Sequence, residues 1–171
     1  KELVNNILKL NLTGYLYFPM PTQPLGWFKK EVKSADEFKG LKYRTIGLSA
    51  EMFKEMGAAV TIMAGGDIVP GLDRGLLDAA EFNNPSSDIL LGFPDVAKFY
   101  MMGSHHQQME AFEVIFNKAK VDALPKELQQ VLRYAAFASS SEQIYKAYDR
   151  YSTDLEAIKK RGVNVVKTPP A

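Results

Sequence analysis

Cysteine is absent from the 171 residues, which excludes disulfide frameworks, thiolate metal centres and cysteine nucleophiles. An excess of one charge is absent too: 21 Lys and Arg oppose 20 Asp and Glu, for a formal net charge of +1. Without a field of one sign, nucleic acid and anionic membrane are poor partners. No run of about 18 apolar residues occurs, so no segment reads as a membrane-spanning helix. The start, Lys1-Glu2-Leu3-Val4, has neither an initiator Met nor the basic and apolar regions of a signal peptide, and we expect it to be a processed or truncated end. What is there is ordinary globular composition, 46% hydrophobic and 24% charged, enough for a domain with a sizeable core.

Lys1 to Leu12 has near-helical apolar spacing and predicts a short amphipathic helix stopped by Gly14, followed by a strand over Tyr15–Phe18. Three prolines and a glycine between Pro19 and Gly26 predict an irregular segment of the kind that carries ligand contacts. Ser34 and Glu37 read as a capping box for a helical turn closed by Gly40. Strands over Leu41–Thr45, Ala59–Met63 and Leu77–Phe82 alternate with helices capped by Ser49 and running over Asp67–Arg74. That order with short joins argues for α/β architecture and a mostly parallel sheet. Asn83–Asp88 reads as a turn, Ala97–Met102 as a strand and Met109–Phe116 as a buried strand. Pro125 opens a helix with no Pro or Gly before Lys160, about 35 residues and near 50 Å long, and Val163–Val166 closes the chain as a strand.

Few residues carry chemistry. Arg44 ends a strand, and the crevice beyond the carboxyl ends of parallel strands is where ligands bind. Its guanidinium fork matches a carboxylate, although position alone fits a solvated surface arginine equally well. Glu81, Phe82, Asn83 and Asn84 come after another strand end beside the same crevice, with an Asn-Asn-Pro turn the better account of Asn84. His105 and His106 are the only histidines; neighbours on a strand point oppositely, which argues against a shared metal ion, and a Ser104–His dyad has no orienting carboxylate at motif spacing. Gly65-Gly66-Asp67 is a weak anion-binding turn.

The blocks Gly26-Trp27-Phe28-Lys29-Lys30-Glu31, Asp36-Glu37-Phe38-Lys39-Gly40-Leu41-Lys42-Tyr43-Arg44, Met56-Gly57-Ala58 with Val60, and Gly75-Leu76-Leu77-Asp78-Ala79-Ala80-Glu81 occur in one order. In that order they resemble the substrate-binding proteins of TRAP transporters (the DctP-type periplasmic solute receptors), over nearly the whole chain. The resemblance implies a two-lobed α/β receptor that closes on an organic acid, with no enzymatic activity. An Arg at the position of Arg44 pairs with the ligand carboxylate, and the surroundings of Gln23 and Glu81-Phe82 look most like the branch taking 2-oxo acids, lactate and related monocarboxylates. Gln23 and Asn83 are expected to add donors, and Trp27 and Phe82 to shield the pair. Some of that branch hold the anion with a metal ion, using a Gln like Gln23 and a later carboxylate. The corresponding block here, Gly103-Ser104-His105-His106-Gln107, contains no acid. No cofactor is therefore expected, Gln23 and Glu81 are the candidate metal ligands, and His106 is a candidate for direct ligand contact.

Relatives run to about twice this length, so the chain is expected to be a carboxy-terminal fragment: a periplasmic-binding-protein-like lobe plus one long bridging helix. Residues 1–80 are assigned to lobe two with the anchoring Arg, 81–116 to a crossover and part of lobe one, 117–160 to the bridging helix, and 161–171 to a closing strand and tail. The expected partners are a small carboxylate and the membrane subunits of the transporter, in the periplasm, without nucleic acid or membrane insertion. The alternative is a hydrolase or lyase using His105 or His106 with Glu81, against which the missing nucleophile elbow and metal motif count. An α/β interaction domain without a ligand is a third reading.

Overall fold

The computed structural model describes residues 2–169. The chain divides into two compact units, one from its start to Met20 with Met109–Tyr148, the other Pro21–Gln108 with the chain from Asp149 onward.

The second unit is built on a six-stranded sheet. Its strands are β2 (Gly26–Phe28), β3 (Lys42–Arg44), β4 (Ala59–Thr61), β5 (Ala79–Ala80), β6 (Phe99–Met102) and β8 (Asn164–Lys167), in the order β4-β3-β5-β2-β6-β8. The pairs β3–β4, β3–β5 and β6–β8 are parallel, while β2 runs antiparallel to both β5 and β6. The sheet is mixed, with parallel pairs in the majority. Successive residues of a strand face opposite sides, and here both sides are buried. Trp27, Tyr100 and Ala80 join Ile68, Leu72, Phe93 and Ile158 in one apolar layer. Their neighbours Phe28, Met101 and Ala79 join Tyr43, Phe38 and Phe53 in the other. Helices α1 (Gly47–Glu55), α2 (Gly65–Asp73), α3 (Pro85–Leu91) and α4 (Phe93–Val96) supply the covering side chains. Gly26, at φ +134°, lies where a Cβ would stand 2.4 Å from the carbonyl oxygen of Ala80, so only glycine lets β2 lie this close to β5.

The first unit pairs β1 (Leu12–Met20) antiparallel with β7 (Glu110–Asn117) and adds α5 (Lys118–Asp122). Helix α6 (Lys126–Lys160) runs unbroken for 35 residues, up to Tyr148 in this unit and beyond it in the other. β1 breaks register between Tyr17 and Pro19, with Phe18 at φ 47° and its N–H donating to Ser140 Oγ at 3.0 Å. A proline is tolerated at such an irregularity.

Several local expectations change. Glu2–Ile7 is helical but π-type, and Gly14 sits inside β1 instead of ending a helix. A Cβ on Gly14 would meet only the outer end of the flexible Glu113 side chain, which is able to move aside. The Ser34 side chain makes no cap bond; Glu37 accepts from the Lys33 N–H, one residue too early for the box. Helix α1 starts at Gly47, placing Ser49 inside it. Asn83–Asp88 is mostly helix: Asn84 caps α3, Pro85 is its first residue, and Ser87 completes a capping box. Strand β7 forms as expected but is not buried: among the described residues β1 is its only sheet partner, and all of its side chains are exposed or half-exposed.

Candidate functional site

The carboxyl ends of the parallel strands β4, β3 and β5 carry Thr61, Arg44 and Ala80, with Met63 two residues past one end and Glu81 one past another. Here Arg44, only 4% exposed, forms an ion pair with Glu81, Nη1 to Oε1 at 2.9 Å. Nη1 also donates to the Glu81 carbonyl at 2.9 Å, and Nε and Nη2 both donate to the Met63 carbonyl, at 3.2 and 3.0 Å. A guanidinium has five N–H donors, so these four bonds leave one on Nη2 without a partner among the described residues. Gln23, buried in the segment before β2, donates its side-chain N–H to the second Glu81 oxygen. Its backbone N–H donates to the Gln107 carbonyl at 3.2 Å, tying the 104–108 loop to the same cluster. The structure thus brings Arg44, Gln23 and Glu81 together and buries all three.

The other expected residues surround or underlie this cluster to differing degrees. Phe82 is half-buried, 6.1 Å from the Phe93 ring and against Gly65, where a Cβ would stand 2.6 Å from the Phe82 ring. Gly65 thus gives room to Phe82, while Gly66 faces open space. Asn83, half-buried, accepts from the Asn84 side chain. Trp27 has no exposed surface: it stacks on Tyr100 at 4.1 Å and Phe93 at 5.6 Å, and its indole N–H donates to Asp88 at 2.8 Å. That makes it a core residue under the site, not a wall of it. His105 lines an apolar cleft of about 190 Å³ between α1 and β6, together with Leu25, Phe38, Phe53 and Met101. His106 contacts Ser104, Nδ1 to Oγ at 2.9 Å, and meets Phe53 edge-on at 5.4 Å. Burial, with a smaller push from His105, holds His106 down at about 4, so the ring is neutral.

Two contributors were not foreseen. The Met63 carbonyl engages two guanidinium nitrogens, and a backbone acceptor leaves no signal in side-chain identity. Asp88 is a buried carboxylate receiving Trp27, Tyr100, Ser87 and the Asn84 N–H. Its signal was the Asn84-Pro85-Ser86-Ser87 cap, which makes residue 88 part of a first helical turn. Among the described residues no group of three or more His, Cys, Asp or Glu converges as a metal cage.

Residues 9–171 match the family model for bacterial extracellular solute-binding proteins, family 7 (DctP). The chain belongs to that family. It is 39% identical over 110 residues to the monocarboxylate 2-oxoacid-binding periplasmic protein all3028 of Nostoc sp. PCC 7120, across 64% of this chain and 30% of that protein. It is 30% identical to the 2,3-diketo-L-gulonate-binding periplasmic protein YiaO of Escherichia coli K12, across 95% of this chain and 51% of the relative. A TRAP solute-binding protein from Bordetella bronchiseptica RB50, with calcium and picolinate, superposes with a TM-score of 0.90 at 27% identity, over 98% of this chain and 50% of that one. Another from Colwellia psychrerythraea, with calcium and pyruvate, gives 0.89 at 28%, over 99% and 52%. The chain therefore spans 30% of one of these curated relatives and 51% of the other. DctP proteins are TRAP substrate-binding proteins, receptors and not enzymes, and with that the hydrolase or lyase alternative is set aside. Among the described residues no helix is long and apolar enough to cross a membrane.

Proposed function

We propose that this DctP chain is the acid-holding portion of a periplasmic TRAP receptor for a 2-oxo acid or a related small organic acid, with Arg44 as the anchor. One observation carries the reading: a desolvated guanidinium at the carboxyl ends of parallel strands keeps one unengaged donor, and a side-chain carboxylate already sits on its fork. A guest carboxylate takes the free Nη2 hydrogen and replaces Glu81 at Nη1, so one anion substitutes for another on the guanidinium, which stays paired throughout. Phe82, propped against Gly65, covers the pair, and Asn83 supplies a polar edge. Trp27 acts from below, fixing β2 and through it the approach to Gln23.

Glu81 released from the fork needs a counter-charge. Its carboxylate and the Gln23 amide oxygen are hard donors of the kind calcium and sodium take, and these two residues would hold such a cation. When bound, the cation supplies a positive charge shared between Glu81 and the oxygens of the acid. The relatives described with calcium and picolinate or pyruvate support that arrangement. The membrane subunits of a TRAP transporter are the partners that receive the loaded protein.

Calorimetric titration with pyruvate tests the anchor. Arg44→Ala, shown by circular dichroism to be folded, is expected to lose measurable binding, and Arg44→Lys to keep a weakened remnant, because a single ammonium cannot replace the fork. A folded Arg44→Ala protein with unchanged affinity ends the proposal.

A further inference from the structure

We infer that His106 is a fixed hydrogen-bond donor for the 2-oxo or 2-hydroxy oxygen of the ligand, and thereby sets a preference for α-oxygenated acids over plain ones; this rests on the receptor reading. Ser104, which is buried, decides the state of the ring. Its Oγ accepts from the Gln107 N–H at 2.8 Å and from the His106 N–H at 3.2 Å. A serine oxygen has two lone pairs and one proton. Both lone pairs are taken, so the third contact, 2.9 Å to His106 Nδ1, must be the hydroxyl proton donated to the ring. A neutral imidazole that accepts at Nδ1 carries its hydrogen on Nε2. That nitrogen is buried and has no partner in the protein among the described residues.

A buried donor without an acceptor is costly, and an oxygen brought by a ligand relieves that cost. The ring cannot easily turn away, since Ser104 holds one edge and Phe53 packs against it. The loop that carries it is fastened to the acid-binding cluster at two points, Gln23 N–H to the Gln107 carbonyl at 3.2 Å and Thr22 Oγ1 to the Gln108 carbonyl at 3.0 Å. Gln23 in turn reaches Glu81, and Glu81 reaches Arg44. An N–H edge recognises an oxygen lone pair and does not ligate a cation, which separates the role of His106 from that of Gln23 and Glu81.

Two arms test the inference. In long-range ¹⁵N–¹H spectra of the ligand-free protein, His106 is expected with Nδ1 unprotonated and Nε2 protonated; the opposite tautomer overturns the inference whatever binds. In calorimetry, the wild type is expected to take pyruvate about tenfold more tightly than propionate, the equivalent of one hydrogen bond. His106→Phe, which keeps a ring against Phe53, is expected to abolish that ratio by weakening pyruvate alone, and His106→Gln to restore part of it. A ratio unchanged in His106→Phe overturns the inference and leaves the receptor reading standing. Failure of the receptor reading looks different: a wild type that binds neither acid, or an Arg44→Ala protein that binds as the wild type does, removes both.

Discussion

A carboxylate sealed in protein either finds a cation or pays in its pKa, and this chain shows both outcomes a few residues apart. Glu81 has Arg44. Asp88 has only neutral donors: Trp27 and Tyr100 on Oδ2, Ser87 and the Asn84 N–H on Oδ1. Burial pushes Asp88 up to about 6 against those four bonds, and burial, with a smaller push from the Asp88 charge, raises the Tyr151 hydroxyl to about 12. The folded state therefore holds the Asp88 proton more tightly than the unfolded chain, whose value is near 3.8. Stability from this group is complete below about pH 4 and is lost as the pH rises through about 6, with at most about 3 kcal/mol at stake. Tyr100 and Tyr151 face the carboxylate but stay neutral throughout that window. Subtracting the thermal unfolding profile of Asp88→Asn from that of the wild type between pH 4 and 8 is expected to give a difference falling with pH; a flat difference contradicts the assignment. At this scale Gln23 entered only through the family resemblance, whereas the strand-end places of Arg44 and Glu81 were legible from position. Asp88 and Trp27 were not, because their roles depend on a contact across 61 residues of sequence.

Helix caps show how far local sequence reaches. Ser34-x-x-Glu37 and Asn84-Pro85-Ser86-Ser87 both look like N-termini, yet only the second closes its reciprocal bonds. The two differ in the kind of helix each one opens. Ser34 precedes a four-residue 3₁₀ turn, whose tighter winding moves Glu37 onto Lys33, whereas Asn84 precedes seven residues of α-helix with Asp88 locked beneath. Asn84→Ala is expected to cost about 1 kcal/mol in chemical denaturation, and Ser34→Ala no more than a few tenths. Equal costs would show that the cap bonds do not govern these ends. Periodicity and punctuation predicted α6 to its last residue, since no Gly or Pro interrupts it, and placed every strand but β2 within a few residues; β2 was missed because it follows directly on the proline-rich segment. They could not show that β2 runs against its neighbours. Strand direction follows from which distant segments β2 pairs with, β5 and β6, and local pattern does not encode that choice.

Between the two units the apolar burial is very unequal. The sheet of the second unit is covered on both faces, with Trp27, Phe28, Tyr43, Ile68, Leu72, Leu77, Phe93 and Tyr100 all sealed. Among the described residues the first unit seals only Met20, Val121, Ala136 and Ala147 of its apolar side chains, and leaves Leu16, Ile115, Phe137 and Tyr145 largely exposed. The stability of an element tracks how much apolar surface it buries and how few of its hydrogen bonds face water. A two-stranded ribbon scarcely stands alone, and among the described residues β1 and β7 are each other's only sheet partners. Amide hydrogen exchange should therefore report two levels of protection in this chain, with β1 and β7 exchanging roughly a hundredfold faster than β2, β5 and β6, in keeping with opening energies that range from near zero to the global value. Uniform protection across both sheets would mean that the exposed apolar face of the first unit is covered in solution, as by self-association, and a concentration series would show it. The acid-binding cluster lies wholly within the better-buried unit, so if the two levels separate, Arg44 and Glu81 stay paired while the ribbon opens.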